Sequence, residues 1–512
     1  MKKRLVALML VLALLLCACS KKEVVPSGND NSGKTVESGK KDDSAEQNDD
    51  EDKEDDVVKE SKKITEAEFL TLREKLLTEE NVELPEALDL RDYGLTTKAR
   101  DQGQYVTCWI FGTMGAIESN ALMNGYGEFD FSEYQLAYLS QNIPEKQDAM
   151  IAGEGFESDC DWYDLPGKPE FVVGPFMKGY GPALEENYPY KNMTKKLSED
   201  AKDDVEFLGD SCYMVSAKDS DKIKELVIKN GGLAVGLDAI NWDYYGSAID
   251  MNSGAVYDNG GKIDHYLTLV GWDDNYSKYN FLNRPKGNGA WIIKNSWGMG
   301  VGDSGYLYVS YYDGSFFARN QLFSFTLMPK DSYDYQYQYD GGFGADKVEG
   351  LTGTAMAFKV KANETMTGVR IYPLPDAQGA FETLNATVTV YKDVASTDKI
   401  DDSKIIYTSE HTIRYAGYQT LKFETGLNIN KGDTILVTVT FDKAIRYAYD
   451  CPFKGKQVDQ WGEPRKYHVI STANPNETFM YLTEDSAWKD CIEKAENSSM
   501  CMKVIVKNGH NK

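Results

Sequence analysis

From Met328 to Gly342 the chain turns rich in Gly and Tyr, with Asp331-Ser332-Tyr333-Asp334-Tyr335 at its centre, and the periodic patterns upstream stop there. Such a break divides 512 residues, more than one core usually organises, into parts that each bury their own apolar side chains. Upstream, helix-like and strand-like stretches mix. Downstream, residues 355–372, 384–391, 404–407, 419–423 and 433–441 are short β-branched or aromatic segments between Gly, Asn, Asp and Lys turns. Thr434 to Thr440 largely alternates, as a half-buried strand does. The reading is α+β for residues 84–328, then an all-β sandwich or jelly roll over 340–512.

The first residues are of another kind. Lys2, Lys3 and Arg4 precede an apolar run from Leu5 to Leu16, too short to span a bilayer comfortably, so residues 1–18 read as an export signal. Leu16-Cys17-Ala18-Cys19 resembles a bacterial lipobox, which implies cleavage before Cys19 and lipidation of its thiol. More than one acyl chain gives a stable anchor. Residues 19–63 have little to bury and carry the run Asp49-Asp50-Glu51-Asp52-Lys53-Glu54-Asp55-Asp56. Low hydrophobicity with like charge predicts a disordered tether, an acidic binding tail being the alternative. In residues 64–83, Phe69, Leu72 and Leu76 recur at helical intervals, predicting a short helix that is either a stalk or a brief prosegment over a cleft. The expected location is the extracellular face of a bacterial cell membrane. A net charge of -25 with no basic stripe excludes nucleic acid as a partner.

Eight cysteines are present. Setting aside Cys17, Cys19 and Cys108 leaves Cys160, Cys212, Cys451, Cys491 and Cys501, an odd set in which at least one thiol finds no partner within the chain. No CxxC and no His/Cys cluster with ligand spacing occurs, so neither metal nor cofactor is expected. Cys108 is followed by Ile110, Met114, Ile117 and Ala121 at helical spacing, which puts it at a helix start with Thr107 as the candidate N-cap. The partial positive charge there favours a thiolate, the nucleophilic form. A nucleophilic cysteine needs a base, and His265 is the one histidine between residues 84 and 328.

Gln102-Gly103 ahead of Cys108-Trp109, Asp264-His265 ahead of Leu269-Val270-Gly271-Trp272, and Lys294-Asn295-Ser296-Trp297-Gly298 with Gly305-Tyr306 resemble the three signature blocks of papain-like cysteine peptidases. Leu84-Pro85, Asp89-Leu90-Arg91, Phe131 to Leu136, Glu186 to Tyr190 and Gly231 to Val235 extend the likeness. The resemblance implies a two-lobed fold, one lobe helical and one barrel-like, and an endopeptidase acting on peptide or protein substrates. It implies that Cys108 attacks the carbonyl, His265 pairs with it and Asn295 orients the imidazole. Gln102 joins the Cys108 backbone N–H in an oxyanion hole, and Trp297 covers the Asn295–His265 hydrogen bond.

This sequence departs from the family in places. Tyr105 stands where the family has a disulfide cysteine. The 157 residues from Cys108 to His265 exceed the roughly 130–150 usual in the family, so insertions are expected at 143–164 and 275–289. For substrate binding, Gly167 is a candidate for the missing backbone-binding glycines, and Ile263 for lining the pocket of the second residue upstream of the cut. The C-terminal part is similar to a lectin-like β-module on Ala416 to Thr420, Asn430 to Asp433, Trp488-Lys489-Asp490 and Ser499 to Lys503. A carbohydrate or cell-surface ligand and simple docking on the peptidase are both open for it. The competing reading from another class is a surface binding or adhesion protein with an inert papain fold. With every catalytic group in 84–328, a chain ending near Pro329 is expected to turn over a small peptide.

Overall fold

A computed structural model describes residues 60–79, 81–142, 155–239, 242, 248–316, 321–458 and 463–509. The export signal, Cys19 and the tether up to residue 59 lie outside the described residues. No described helix is long and apolar enough to cross a membrane, and no disulfide joins the six described cysteines.

Helix α1 (Glu66–Thr78) opens with a capping box, Thr65 accepting from the Glu68 N–H while Glu68 accepts from the Thr65 N–H. Phe69 and Leu76 are buried, and Phe69 stacks on Tyr93 at 4.6 Å between centroids. Arg73 ties the helix down through the Lys229 carbonyl and Asn124 Oδ1. Just before it, Ser61 donates to Asp273.

The upstream part has a helical lobe of α2 (Cys108–Met123), α3 (Glu133–Gln141) and α4 (Glu170–Lys178), with α5 (Ser220–Asn230) further along. Its strands are β1 (Gly155–Ser158), β2 (Phe207–Ser216), β3 (Leu233–Leu237), β4 (His265–Asp273), β5 (Ala290–Lys294), β6 (Tyr306–Ser310) and β7 (Gln321–Pro329). All but β1 form an antiparallel sheet in the order β2-β7-β3-β4-β5-β6. Ser61 and His265 therefore mark opposite ends of β4, eight residues or about 27 Å apart at ~3.4 Å per residue. The segment around α1 packs at the end of β4 remote from His265.

Downstream come β8 (Tyr335–Gln338), β9 (Asp346–Lys359), β10 (Glu364–Ile371), β11 (Leu384–Lys392), β12 (Ile405–Ile413), β13 (Ala416–Ile429) and β14 (Thr434–Asp450). They are followed by β15 (Phe453–Val458), β16 (Pro464–Ile470), β17 (Thr478–Leu482) and β18 (Met502–Asn508). Layers β8-β18-β10-β13 and β12-β11-β14-β9-β17 enclose Met356, Val369, Val388, Val437 and Val504. Strand β14 differs from its half-buried expectation. Leu436 is buried too, because Ala355, Ala357, Tyr391 and Phe479 form a second cluster on its outer side.

The two parts share backbone. Ala416, Gly417 and Tyr418 of β13 pair with Met214, Tyr213 and Cys212 of β2, so the inner layer of the sandwich continues the upstream sheet. Arg370, fully buried, reaches across: its guanidinium donates to the Met177 carbonyl at 2.7 Å, the Gly209 carbonyl at 2.5 Å and Gln336 Oε1 at 3.1 Å. Phe176, Phe325, Tyr372, Tyr418 and Cys501 pack in one cluster drawn from both parts. Residues 58–512 accordingly form one compact unit. The β-module thus packs on the upstream part as a continuation of its sheet, a contact that a chain ending near Pro329 would lack.

Candidate active site

Helix α2 lies directly on β4. A Cβ added to Gly112 would stand 2.8 Å from the Leu267 carbonyl oxygen, and one added to Gly115 would stand 2.2 Å from Thr268 Oγ1. Thr268 Oγ1 fastens the contact by donating to the Gly112 carbonyl at 2.9 Å. From that contact, four helical residues back to Cys108 climb about 6 Å, and two strand residues back to His265 climb about 7 Å. Cys108 and His265 thus reach the same level, and the Tyr266 backbone N–H is aimed at the Cys108 sulfur.

Thr107 precedes the helix but caps nothing with its side chain. Its Oγ1 is instead paired with the Tyr190 hydroxyl at 2.6 Å. The Cys108 and Trp109 N–H groups are left facing the Cys108 sulfur, where they favour its ionised form. Burial works the other way and wins, pushing the Cys108 thiol up to about 11. Burial also lowers His265 to about 4, opposed by its bond to Asn295. Burial thus disfavours the charged form of both side chains, against the thiolate expected from the helix terminus.

Strand β5 pairs with β4 and delivers Asn295 at its end. Asn295 Oδ1 lies 2.9 Å from His265 Nε2 and also accepts the Ser296 backbone N–H at 2.8 Å. That second bond marks the atom as the amide oxygen, so Nε2 carries the imidazole proton and Nδ1 keeps its lone pair. Trp297 stacks on His265 at 4.8 Å between centroids and 21° between planes. Trp242 meets both rings edge-on, at 6.2 and 6.1 Å. His265 and Asn295 are nearly dry, at 5% and 2% exposure.

Gln102 is held from every side. Its backbone N–H donates to the Ser296 carbonyl at 2.9 Å, its Oε1 accepts from Ser296 Oγ at 2.7 Å, and its Nε2 donates to the Tyr105 carbonyl at 3.0 Å. A primary amide has two N–H donors, so one stays available. Ser296 thus fixes Gln102 and Asn295 together. Ser296 lies inside the Lys294-to-Gly298 motif but carries no signal of its own there, and nothing in the sequence pattern marks Trp242.

The two substrate candidates flank this group. Gly167 lies flat on the Trp109 indole, where an added Cβ would come within 2.3 Å. Ile263 is half-buried across Gly236, two residues before His265. One described group has the makings of a metal site, Asp340, Asp450 and Cys501. Lys503 Nζ already stands 2.8 Å from Asp340 Oδ1 with both side chains buried, and its ammonium takes the place a cation would fill.

Residues 84–316 match the family model described as papain family cysteine protease, and residues 335–506 the one described as lectin like domain. Viral cathepsin of Heliothis zea nuclear polyhedrosis virus is 30% identical over 233 residues, 45% of this chain and 53% of that protein. Cysteine proteinase 1 of Dictyostelium discoideum is 30% identical over 243 residues, 44% of this chain and 61% of that protein. The chain thus spans somewhat over half the length of these curated relatives. Among solved structures, the cysteine protease and lectin-like domains of Cwp84, a surface layer associated protein of Clostridium difficile, align with a TM-score of 0.64. Identity there is 20%, covering 88% of this chain and 98% of that one.

Proposed function

Residues 84–316 being a papain-family cysteine protease domain, joined to a lectin-like domain at 335–506, we propose that this chain is an endopeptidase working through Cys108, His265 and Asn295. The observation that carries the reading is the His265–Asn295 bond, which leaves Nδ1 as the basic nitrogen. His265 Nδ1 takes the thiol proton as Cys108 Sγ bonds to the peptide carbonyl carbon. The oxyanion is met by the Cys108 N–H and the spare N–H of Gln102. Collapse breaks the C–N bond, and the amine leaves with the proton from His265. Water, losing a proton to the same nitrogen, then releases the acid from the thioester and restores the thiol. Ile263 and Gly167 line the substrate path. Carbohydrate or another cell-surface ligand is the proposed partner of the lectin-like domain.

Profiling cleavage of a peptide library by the chain from residue 60 onward, with and without an epoxysuccinyl inhibitor, tests this. Inhibitor-sensitive cuts within the peptides, with one label per chain on Cys108, are expected. Absence of any cleavage by fully folded protein would favour a surface binding protein with an inert papain fold.

The same proposal places the protein outside the cell, held by lipid on Cys19. The Clostridium difficile neighbour is itself a surface layer associated protein, which supports an external location. Alkynyl fatty acid is expected to label the wild type and to be lost from Cys19→Ala, which should pass from the membrane fraction into medium or uncleaved precursor. Undiminished labelling of that variant would rule Cys19 out.

A further inference from the structure

The expected insertion at 143–164 contains β1, and β1 belongs to the β-module. It pairs antiparallel with β16 in the register Ser158↔Tyr467, Glu157↔His468, Phe156↔Val469 and Gly155↔Ile470, adding a third strand to the β15–β16 hairpin. The ladder continues past the strand: the Asp159 N–H donates to the Lys466 carbonyl at 3.1 Å, and Asp159 Oδ1 accepts the Lys466 N–H at 2.8 Å. Six residues on, Leu165 is fully buried against Val469 of the hairpin.

The same loop ends at the nucleophile. The Tyr163 carbonyl accepts the Val106 N–H at 3.4 Å, and Gly167 lies on the Trp109 indole. Val106 and Trp109 stand two residues before and one after Cys108. A chain of contacts therefore runs from the hairpin through residues 155–159 to 163–167 and on to the segment carrying the nucleophile.

We propose that the paired strands β15 and β16, residues 453–458 and 464–470, are a positioning element for the peptidase: they hold residues 159–167 as the wall of the substrate path beside Cys108, so that peptide recognition depends on the β-module. The proposal rests on the endopeptidase reading for its substrate but not for its mechanical part. A loop tied at one end by strand pairing and at the other by Val106 and Trp109 has little freedom. Released at the hairpin end, it keeps its attachment to the nucleophile segment but loses the wall's fixed shape. Bound peptides then lose uniform contacts, a loss that falls on KM rather than kcat.

Two measurements separate the parts. Hydrogen exchange on Val469→Pro, whose ring cannot serve the ladder, and on the milder Val469→Ala should show faster exchange at residues 155–167 while α2 and β4 stay protected. In steady-state kinetics, Val469→Ala and Leu165→Ala should each raise KM for an eight-residue peptide by about 3–10-fold with kcat nearly unchanged. Both should leave a one-residue ester unaffected, and the double variant should be no worse than the stronger single, because both cut the same link. Unchanged exchange at 155–167 in both Val469 variants, or equal losses on peptide and ester, would overturn the proposal. Faster exchange in the Val469 variants of a chain whose wild type lacks peptidase activity would leave the positioning intact and discard the endopeptidase reading.

Discussion

Cys108→Ala is expected to lower peptide turnover by about 10⁵–10⁶-fold, to the level left by binding and oxyanion contacts alone, and to end labelling by an epoxysuccinyl probe. Three of the five other described thiols offer no substitute. Cys212, Cys491 and Cys501 are at most 1% exposed, and burial raises each of them. His265→Ala should be nearly as severe. Gln102→Ala removes one oxyanion donor and should cost about 10²–10³ in kcat with KM little changed. Asn295→Ala should be milder than His265→Ala and carries a pH signature. In the wild type the neutral imidazole persists down to about 4, so kcat/KM for an uncharged peptide is retained through pH 6.5 and lost as pH falls through about 4. The Asn295 bond favours the protonated ring; removing it moves that acid limb lower still, whereas the Gln102 variant leaves it in place. Retention of activity in Cys108→Ala, or probe attached to Cys160 instead, would remove Cys108 from the mechanism. An acid limb near 6.5 would mean that water reaches His265.

A chain stopped after Pro329 should fail to yield a soluble, folded peptidase. Removing the β-module unpairs the edge of β2 from Ala416, Gly417 and Tyr418. The Met177 and Gly209 carbonyls lose Arg370, and Phe176, Cys212 and Phe325 face water where Tyr372, Tyr418 and Cys501 had covered them. An open, apolar strand edge is an aggregation template. Arg370→Met probes the same seam in the intact chain. It leaves buried carbonyls without donors, at a cost of about 1–3 kcal/mol for each one left unsatisfied. Thermal unfolding of the full chain and of this variant, with near-ultraviolet circular dichroism of the shortened chain, checks both. A monomeric, active product ending at residue 329 would mean that the shared sheet adds nothing to the peptidase core.

How far the sequence could be read follows from which forces carry identity. The proposed catalysis demands particular side chains, so Gln102, Cys108, His265, Asn295 and Trp297 are legible as residues; contacts through Ser296 and His265 join Gln102, Asn295 and Trp297. Periodicity carried the helix around Phe69 and the strands of the sandwich. Backbone pairing carries no residue identity: nothing in Ala416-Gly417-Tyr418 names Cys212 to Met214 as its partner, and nothing in 155–158 names 467–470. The insertion at 143–164 was legible as surplus length, its destination was not. Thr107 was read as a cap from local rules, and a residue 83 positions away, Tyr190, took its hydroxyl. Trp242 offered no local pattern at all.

The junction between the two parts bears on survival. From Lys330 to Asp334 the chain is short and held at both ends, the Ser332 N–H on the Pro329 carbonyl and the Asp334 N–H on the Val506 carbonyl. Proteases nick exposed loop tips and linkers that can be drawn out straight. If copies are held on one surface as proposed, they meet each other's clefts constantly, yet the seam offers no slack strand to feed into them. Under the proposed peptidase activity, a cut at this junction would have to begin with the opening of a sheet, so the joined architecture also keeps the two parts from being severed from each other.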